Sequence, residues 1–140
     1  MTSRIVTVEM DDSLKLVKDI FDNVQFHHIL VIEADKLAGI VSDRDLLKAL
    51  SPYVGTMAET SRDTETLNKK AHQIMTRSPI TLDESAQISD AIEVFNRKQI
   101  SCIPVIDKNG VPVGILSWRD VMKWLKVESP LAGKLPSAGA

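Results

Sequence analysis

The sequence predicts an α+β fold made of two copies of one β-α-β-β-α unit, and three observations carry that prediction. Gly39-Ile-Val-Ser-Asp-Arg-Asp45 returns as Gly114-Ile-Leu-Ser-Trp-Arg-Asp120. The residues ahead of each copy also correspond at an offset of 74, Thr7 with Thr81, Phe21 with Phe95, and Ile29-Leu-Val-Ile with Ile103-Pro-Val-Ile. Finally, the order of apolar runs, helix and glycine turn is the same in both halves. One such unit leaves an apolar face uncovered, so two are expected to pack face to face. A pair related by a pseudo-twofold leaves two equivalent clefts.

Each element follows from local pattern. Thr7-Val-Glu and Thr81-Leu-Asp open the units as short strands. Asp11-Asp-Ser13 can cap a helix whose apolar side is Leu14, Val17, Ile20, Phe21 and Val24; in the second unit Asp83-Glu-Ser85 precedes Ile88, Ala91, Ile92 and Phe95. Both spacings gather the apolar groups on one helical face. The runs His28 to Ile32 and Cys102 to Ile106 are nearly continuous in hydrophobicity, as strands buried on both faces are. Asn109-Gly110 is a hairpin signal that leads into a strand from Val111 to Leu116. A last helix follows each repeated motif, with Leu46, Leu47 and Leu50 in one and Val121, Met122 and Leu125 in the other.

The boundaries read from this pattern are a first unit over 1–50, a connector over 51–72, a second unit over 73–127 and a flexible tail over 128–140. The connector is rich in Ser, Thr, Asp, Glu and Lys and reads as solvated, with a turn or two of helix between Thr64 and Gln73. The tail holds prolines, glycines and small residues. At 140 residues with 44% hydrophobic content, the chain can bury a shared core. A net charge of -2 gives no sign of a broad nucleic-acid surface. With no bilayer-length apolar run, no signal peptide and a single cysteine, Cys102, the expected setting is soluble and cytoplasmic, with no membrane partner.

The repeated Gly-x-x-Ser-x-Arg-Asp motif has two readings. In the first, Ser42 caps a helix while Asp45 reaches back to the cap amide, a capping box with Asp in place of Glu. In the second, the free amides of a helix start favour phosphate, or the carboxylate accepts hydrogen bonds from a ribose diol. The two can coexist in one side chain.

The chain resembles a tandem pair of CBS domains, the module named after cystathionine β-synthase. The resemblance rests on Met75-Thr-Arg-Ser-Pro-Ile-Thr-Leu82, on Ile103-Pro-Val-Ile-Asp107 and on the two glycine motifs, and it spans about Ser3 to Leu125. The first unit departs from the pattern in lacking a Met-Thr-x-x-Pro stretch and in having Leu30 where the second has Pro104. The resemblance implies two units packed sheet to sheet, with AMP, ADP, ATP or S-adenosylmethionine held in the clefts as a regulatory ligand. It also implies a homodimer, a regulated partner protein of unknown identity, and no required cofactor.

Each cleft is then built from both repeats. The resemblance assigns Ile40, Ser42, Asp45, Thr76, Ser78, Ile80 and Ile100 to one cleft. It assigns Ile115, Ser117, Asp120, Ser3, Arg4, Ile5 and Phe26 to the other. Basic residues just before the second strand often hold phosphates in the family; this chain has His27-His28 there in one unit and Ser101-Cys102 in the other. The histidines either contact phosphate, with pH sensitivity near neutrality, or are packed and solvated residues. Arg44 and Arg119 either clamp a phosphate or sit on the outer helix face. Adjacent histidines lack a third metal ligand at suitable spacing, and nothing near Cys102 lowers its pKa. With no nucleophile beside a base, the sequence points to a binding module and not an enzyme. The alternative is a structural, dimerising module whose clefts are vestigial.

Overall fold

The structure, a computed structural model, describes residues 5–128, with side chains through Leu125. In the first repeat β1 (Thr7–Glu9), α1 (Leu14–Asn23), β2 (His28–Glu33), β3 (Lys36–Ser42) and α2 (Asp43–Ala49) follow in order. Two short helices, α3 (Ser61–Glu65) and α4 (Ala71–Ile74), lead to β4 (Thr76–Arg77). The second repeat continues as β5 (Leu82–Asp83), α5 (Ile88–Arg97), β6 (Cys102–Ile106), β7 (Pro112–Ser117) and α6 (Trp118–Glu128). This is the α+β, twice-repeated architecture that the sequence predicts. The tail from 129 onward, and Ser3 and Arg4, lie outside the described residues.

The two sheets are not equal partitions of the chain. Four strands form the first in the order β1-β2-β3-β4, and three form the second, β5-β6-β7. In both, the leading strand runs parallel to its neighbour and the hairpin strands run antiparallel. The lead-in strand β4 pairs antiparallel with β3 of the first repeat, Gly39 opposite Arg77 and Ile40 opposite Thr76. The second repeat therefore begins on the first repeat's sheet.

Alternation along β2 divides the packing. Ile29 and Val31 join Leu14, Val17, Val41 and Leu46 in the first core, beneath the helices. Leu30 points to the opposite sheet face and is also fully buried, as is its counterpart Pro104. That second buried face is where the repeats meet, since Pro104 shares a cleft wall with Ile40 and His28 of the first sheet. The second core gathers Ala91, Val105, Leu116 and Val121, flanked by Ile88, Ile92 and Phe95. The apolar stripes expected of both first helices thus face their own sheets.

The polar connector turns out to be docked at its far end. Leu14 N–H donates to the Lys69 carbonyl at 2.8 Å, and Ala71 N–H donates to Asp12 at 2.8 Å. Ala71 is fully buried and Met75 nearly so, both within the first core. Its near end is tied as well, Ser51 Oγ donating to Asp63 at 2.6 Å. Expecting a solvated linker misses this because a few backbone bonds and two apolar residues suffice to fasten a polar segment. Another local difference lies at α5. Asp83 accepts from Ser85 at 2.6 and 2.9 Å, closing a turn, and the helix starts later, where Gln87 N–H donates to Asp90 at 2.9 Å.

Gly39 shows why the repeated motif starts on glycine in the first repeat. A Cβ built there would stand 2.5 Å from Met75 Sδ and 2.9 Å from the Thr76 carbonyl oxygen, so β4 can approach only a bare Cα. Gly110 serves a different need, a φ of 82° in the hairpin turn, with its nearest neighbour 3.8 Å away. The first hairpin makes its tighter turn with Ala34 and Asp35, both at positive φ. Gly39→Ala is expected to destabilise the chain by about 1–3 kcal/mol through overpacking. Gly110→Ala should cost about 1–2 kcal/mol through backbone strain alone. Urea unfolding of both variants checks the assignment, and a neutral Gly39→Ala would rule out the close approach.

Candidate functional site

The site grows from the corner where β3 becomes α2. Ser42 takes the extended conformation of an N-cap, and its Oγ accepts from Asp45 N–H at 3.1 Å while Ser42 N–H donates to Asp45 Oδ2 at 2.9 Å. The second copy repeats the bonds, Asp120 N–H to Ser117 Oγ at 3.1 Å and Ser117 N–H to Asp120 Oδ2 at 2.9 Å. The capping reading of the motif thus holds in both copies. Asp43 N–H donates to the His27 carbonyl at 3.0 Å, so the amides at this helix start are largely occupied. Among the described residues, Asp45 Oδ1 accepts no hydrogen bond, which leaves it free to meet a ligand.

Beside the Asp45 corner lies a cleft of about 370 Å³, near the low end of the roughly 300–1,000 Å³ usual for small-molecule sites. The first repeat contributes His28, Ile40, Ser42 and Asp45, and the chain running from β4 into the second repeat contributes Thr76, Ser78, Pro79 and Ile80. Gln99, Ile100, Ser101, Cys102 and Pro104 close it from the second repeat. Every residue that the sequence assigned to this cleft lines it. Pro79, Gln99, Ser101 and Pro104 were missed, although they adjoin assigned residues or belong to the Ile-Pro-Val-Ile run. Ser78 adopts a φ of 46°, which turns the chain out of β4 toward the second sheet.

The paired histidines part company, because β2 begins at His28 and His27 sits in the bend before it. His28 lines the cleft, opposite Ser42 in the β2–β3 register. His27 instead places Nδ1 3.0 Å from Asp43 Oδ2, at a separate depression that it shares with Phe21 and Phe26. That bond holds the Asp43 carboxyl below its usual range. Burial lowers the His28 pKa, with His27 and Arg44 adding to the effect and Asp43 and Asp45 opposing it. Cys102 lines the same cleft, and burial pushes its thiol up to about 12, which leaves no useful thiolate near neutrality.

The Asp120 corner is less fully described. Ile5, Phe26, Ile115 and Ser117 are half-buried, and Ser3 and Arg4 fall outside the described residues. Arg119 lies on the outer side of α6, 5.8 Å from the Trp118 ring, and Arg44 is exposed on α2. Among the described residues no three of His, Cys, Asp or Glu gather as a metal site, and no helix is long and apolar enough to cross a membrane.

His28 carries a pH signature. With a folded pKa below 6.5, it binds fewer protons than in the unfolded chain, so stability rises with pH there. Its contribution is complete above 6.5 and is lost as pH falls through the folded value. Unfolding free energies at pH about 7.5 and 5.5 should therefore differ less in His28→Gln than in the parent chain. An unchanged difference would mean that His28 is not desolvated.

Comparison with known proteins gives this geometry a family. The pattern described as "CBS domain" matches residues 1–52 and 71–127. A CBS domain-containing protein of Dictyostelium discoideum is 27% identical over 134 residues, covering 94% of this chain and 92% of that protein. Among solved structures, protein MJ1225 of Methanocaldococcus jannaschii matches with a TM-score of 0.75 at 22% identity, covering 91% of this chain and 48% of the other. CBSX2, solved in complex with AMP, matches with a TM-score of 0.72 at 25% identity, covering 89% of this chain and 90% of the other. An inosine-5′-monophosphate dehydrogenase of Thermoplasma acidophilum is also similar, but the match spans only 21% of that enzyme. Two matched segments, a repeated capping corner and a cleft walled by both repeats lead to one conclusion: the chain belongs to the CBS domain family, as a tandem pair.

Proposed function

We propose that the chain is a regulatory module that takes up an adenosine compound (AMP, ADP, ATP or S-adenosylmethionine) between its repeats and signals occupancy to a partner protein. One observation carries the reading: a small-molecule-sized cleft whose walls come from both repeats, around Asp45 and Ser42. Asp45 Oδ2 is engaged by its own helix cap, and Oδ1 remains to accept from a ribose diol. Ile40, Ile80, Ile100 and Pro104 offer apolar walls of the kind a flat base needs. The AMP bound by the similarly folded CBSX2 supports an adenosine moiety as the ligand.

The regulatory step follows from linkage. A ligand that touches both repeats favours whichever arrangement brings them closest, and that bias is what a partner reads. The Asp120 corner, with Ser117 and Ile115 and with Ile5, Phe26, Ser3 and Arg4 as its remaining walls, is proposed as a second cleft. We assign the chain no catalytic step, since burial holds the cleft's one thiol protonated. A cytoplasmic setting fits a nucleotide-responsive module.

A second reading is supported by the helix surface. Leu47 on α2 and Met122 on α6 occupy matching positions in the two repeats and are 74% and 58% exposed. Trp118 and Leu125 lie on the same face of α6 as Met122, one turn away on either side. Apolar groups displayed at equivalent places suit a homodimer formed through these helices.

AMP, ADP, ATP or S-adenosylmethionine should raise the Tm. At a hundredfold excess over Kd the stabilisation is about 2.7 kcal/mol, roughly 5–10 °C for a chain of this size. Asp45→Asn, which keeps an acceptor for the cap, and Asp45→Ala should each lose part of that shift. Absence of any shift with all four compounds would remove the nucleotide reading. The dimer is tested separately, by sedimentation velocity of Leu47→Glu combined with Met122→Glu. The parent chain should sediment as a dimer and the variant as a monomer, and a monomeric parent chain would end the idea.

A further inference from the structure

The charge of the Asp45 cleft restricts what can enter it. Among the described residues that line it, no lysine or arginine is present, and the only fixed charge is the Asp45 carboxylate. Nearby cations point elsewhere. On β4, Thr76 lines the cleft while Arg77 lines a neighbouring groove with Glu33 and Lys36, and Ser78, just past the strand, borders both. Lys98 borders a groove along α5, and Arg44 is exposed on α2.

The usual substitute for a cation, a set of free amides at a helix start, is also missing here. The amides of Ser42, Asp43 and Asp45 already donate within the corner, and α2 is only seven residues long. Among the described residues of the cleft, only the His28 imidazole could bring an anion a positive charge, and burial keeps it neutral at pH 7; the hydroxyls of Ser42, Thr76, Ser78 and Ser101 and the Gln99 amide offer neutral donors. Asp43 and Asp45 favour its protonated form, His27 and Arg44 oppose it, and Cys102 faces it as an uncharged thiol. Among the described residues, a phosphate placed in this cleft would meet one carboxylate and no fixed positive group.

Resting on the nucleotide reading above, we propose that the Asp45 cleft selects an adenosine compound whose 5′ substituent carries no phosphate. The ligand class is a nucleoside that is neutral or cationic at the 5′ position, such as a thioether or a sulfonium. Ribose recognition by Asp45 costs no charge pairing, because a diol is neutral. A sulfonium gains from the carboxylate what a phosphate loses. Phosphorylated nucleotides bind better when His28 takes up a proton, so their affinity rises as pH falls, by at most about tenfold per pH unit for one linked proton.

The test is a titration of the full chain at low salt with adenosine, 5′-methylthioadenosine, S-adenosylmethionine, AMP and ATP. The methyl NMR signals of Ile40, Ile80 and Ile100 report occupancy of this cleft and not of the other. At pH 8, where a phosphate monoester is a dianion, adenosine and its thioether should bind at least about tenfold more tightly than AMP, and ATP more weakly still. The part of AMP's pH dependence that belongs to the imidazole should vanish in His28→Gln, leaving that of the phosphate itself. Gln99→Lys, which adds a cation at the exposed rim, should raise the affinity for AMP relative to that for adenosine. Tighter binding of AMP or ATP than of adenosine at pH 8 would overturn this inference while leaving the nucleotide reading intact. Failure of every compound to move the three methyl signals would overturn both.

Discussion

The arrangement depends on one close approach, the passage of β4 across the bare Cα of Gly39. Without it the segment from Met75 to Ser78 has no seat on the first sheet. With it, Met75 drops into the first core, Thr76 and Ser78 turn toward the cleft, and Ile80 follows into the second repeat. A single strand thus delivers a core side chain on one face and cleft residues on the other. The repeats are joined by more than a covalent tether, and the cleft cannot be completed by either one alone.

The same economy governs the capping corner. A serine and an aspartate three residues apart close the first turn of α2 and α6 with identical bond lengths. Because one carboxylate oxygen already anchors the helix, the other is held in a fixed direction before any ligand arrives. Such preorganisation reduces the ordering cost of binding. It also limits the chemistry, since the carboxylate that caps the helix brings its charge to whatever shares the cleft.

Much of this was legible in the sequence because repetition amplifies weak signals. Ser-x-x-Asp once is an ordinary cap; twice, at the same place in the same order of elements, it defines a unit. The helical stripes and the buried strands were readable from periodicity for the same reason. Less visible were features set by single tertiary contacts. Lys69 and Ala71 sit in a polar stretch, and only the partner amide of Leu14 and carbonyl of Asp12 reveal that it is docked. Pro79, Gln99, Ser101 and Pro104 carry no distinctive chemistry, so only folding marks them as walls. The separation of His27 from His28 depends on where β2 starts, and the depression and partner that receive His27 are tertiary facts.

The two corners share a skeleton and differ in what is placed on it. At the first helical position after the serine, the first repeat has Asp43, which His27 engages at 3.0 Å; the second has Trp118 with Arg119 against its ring. Both corners keep the arginine of the motif, but one has two carboxylates where the other has one carboxylate and an indole. The cap pair is constrained by helix geometry and cannot vary without cost, but the neighbouring position is free to diverge because it bonds nothing that the fold requires. Duplication thus fixes the capping corner and leaves the charge around it to be set separately in each repeat. The proposed second cleft therefore need not share the ligand proposed for the first, because Asp43 and Trp118 give the two corners different chemistry.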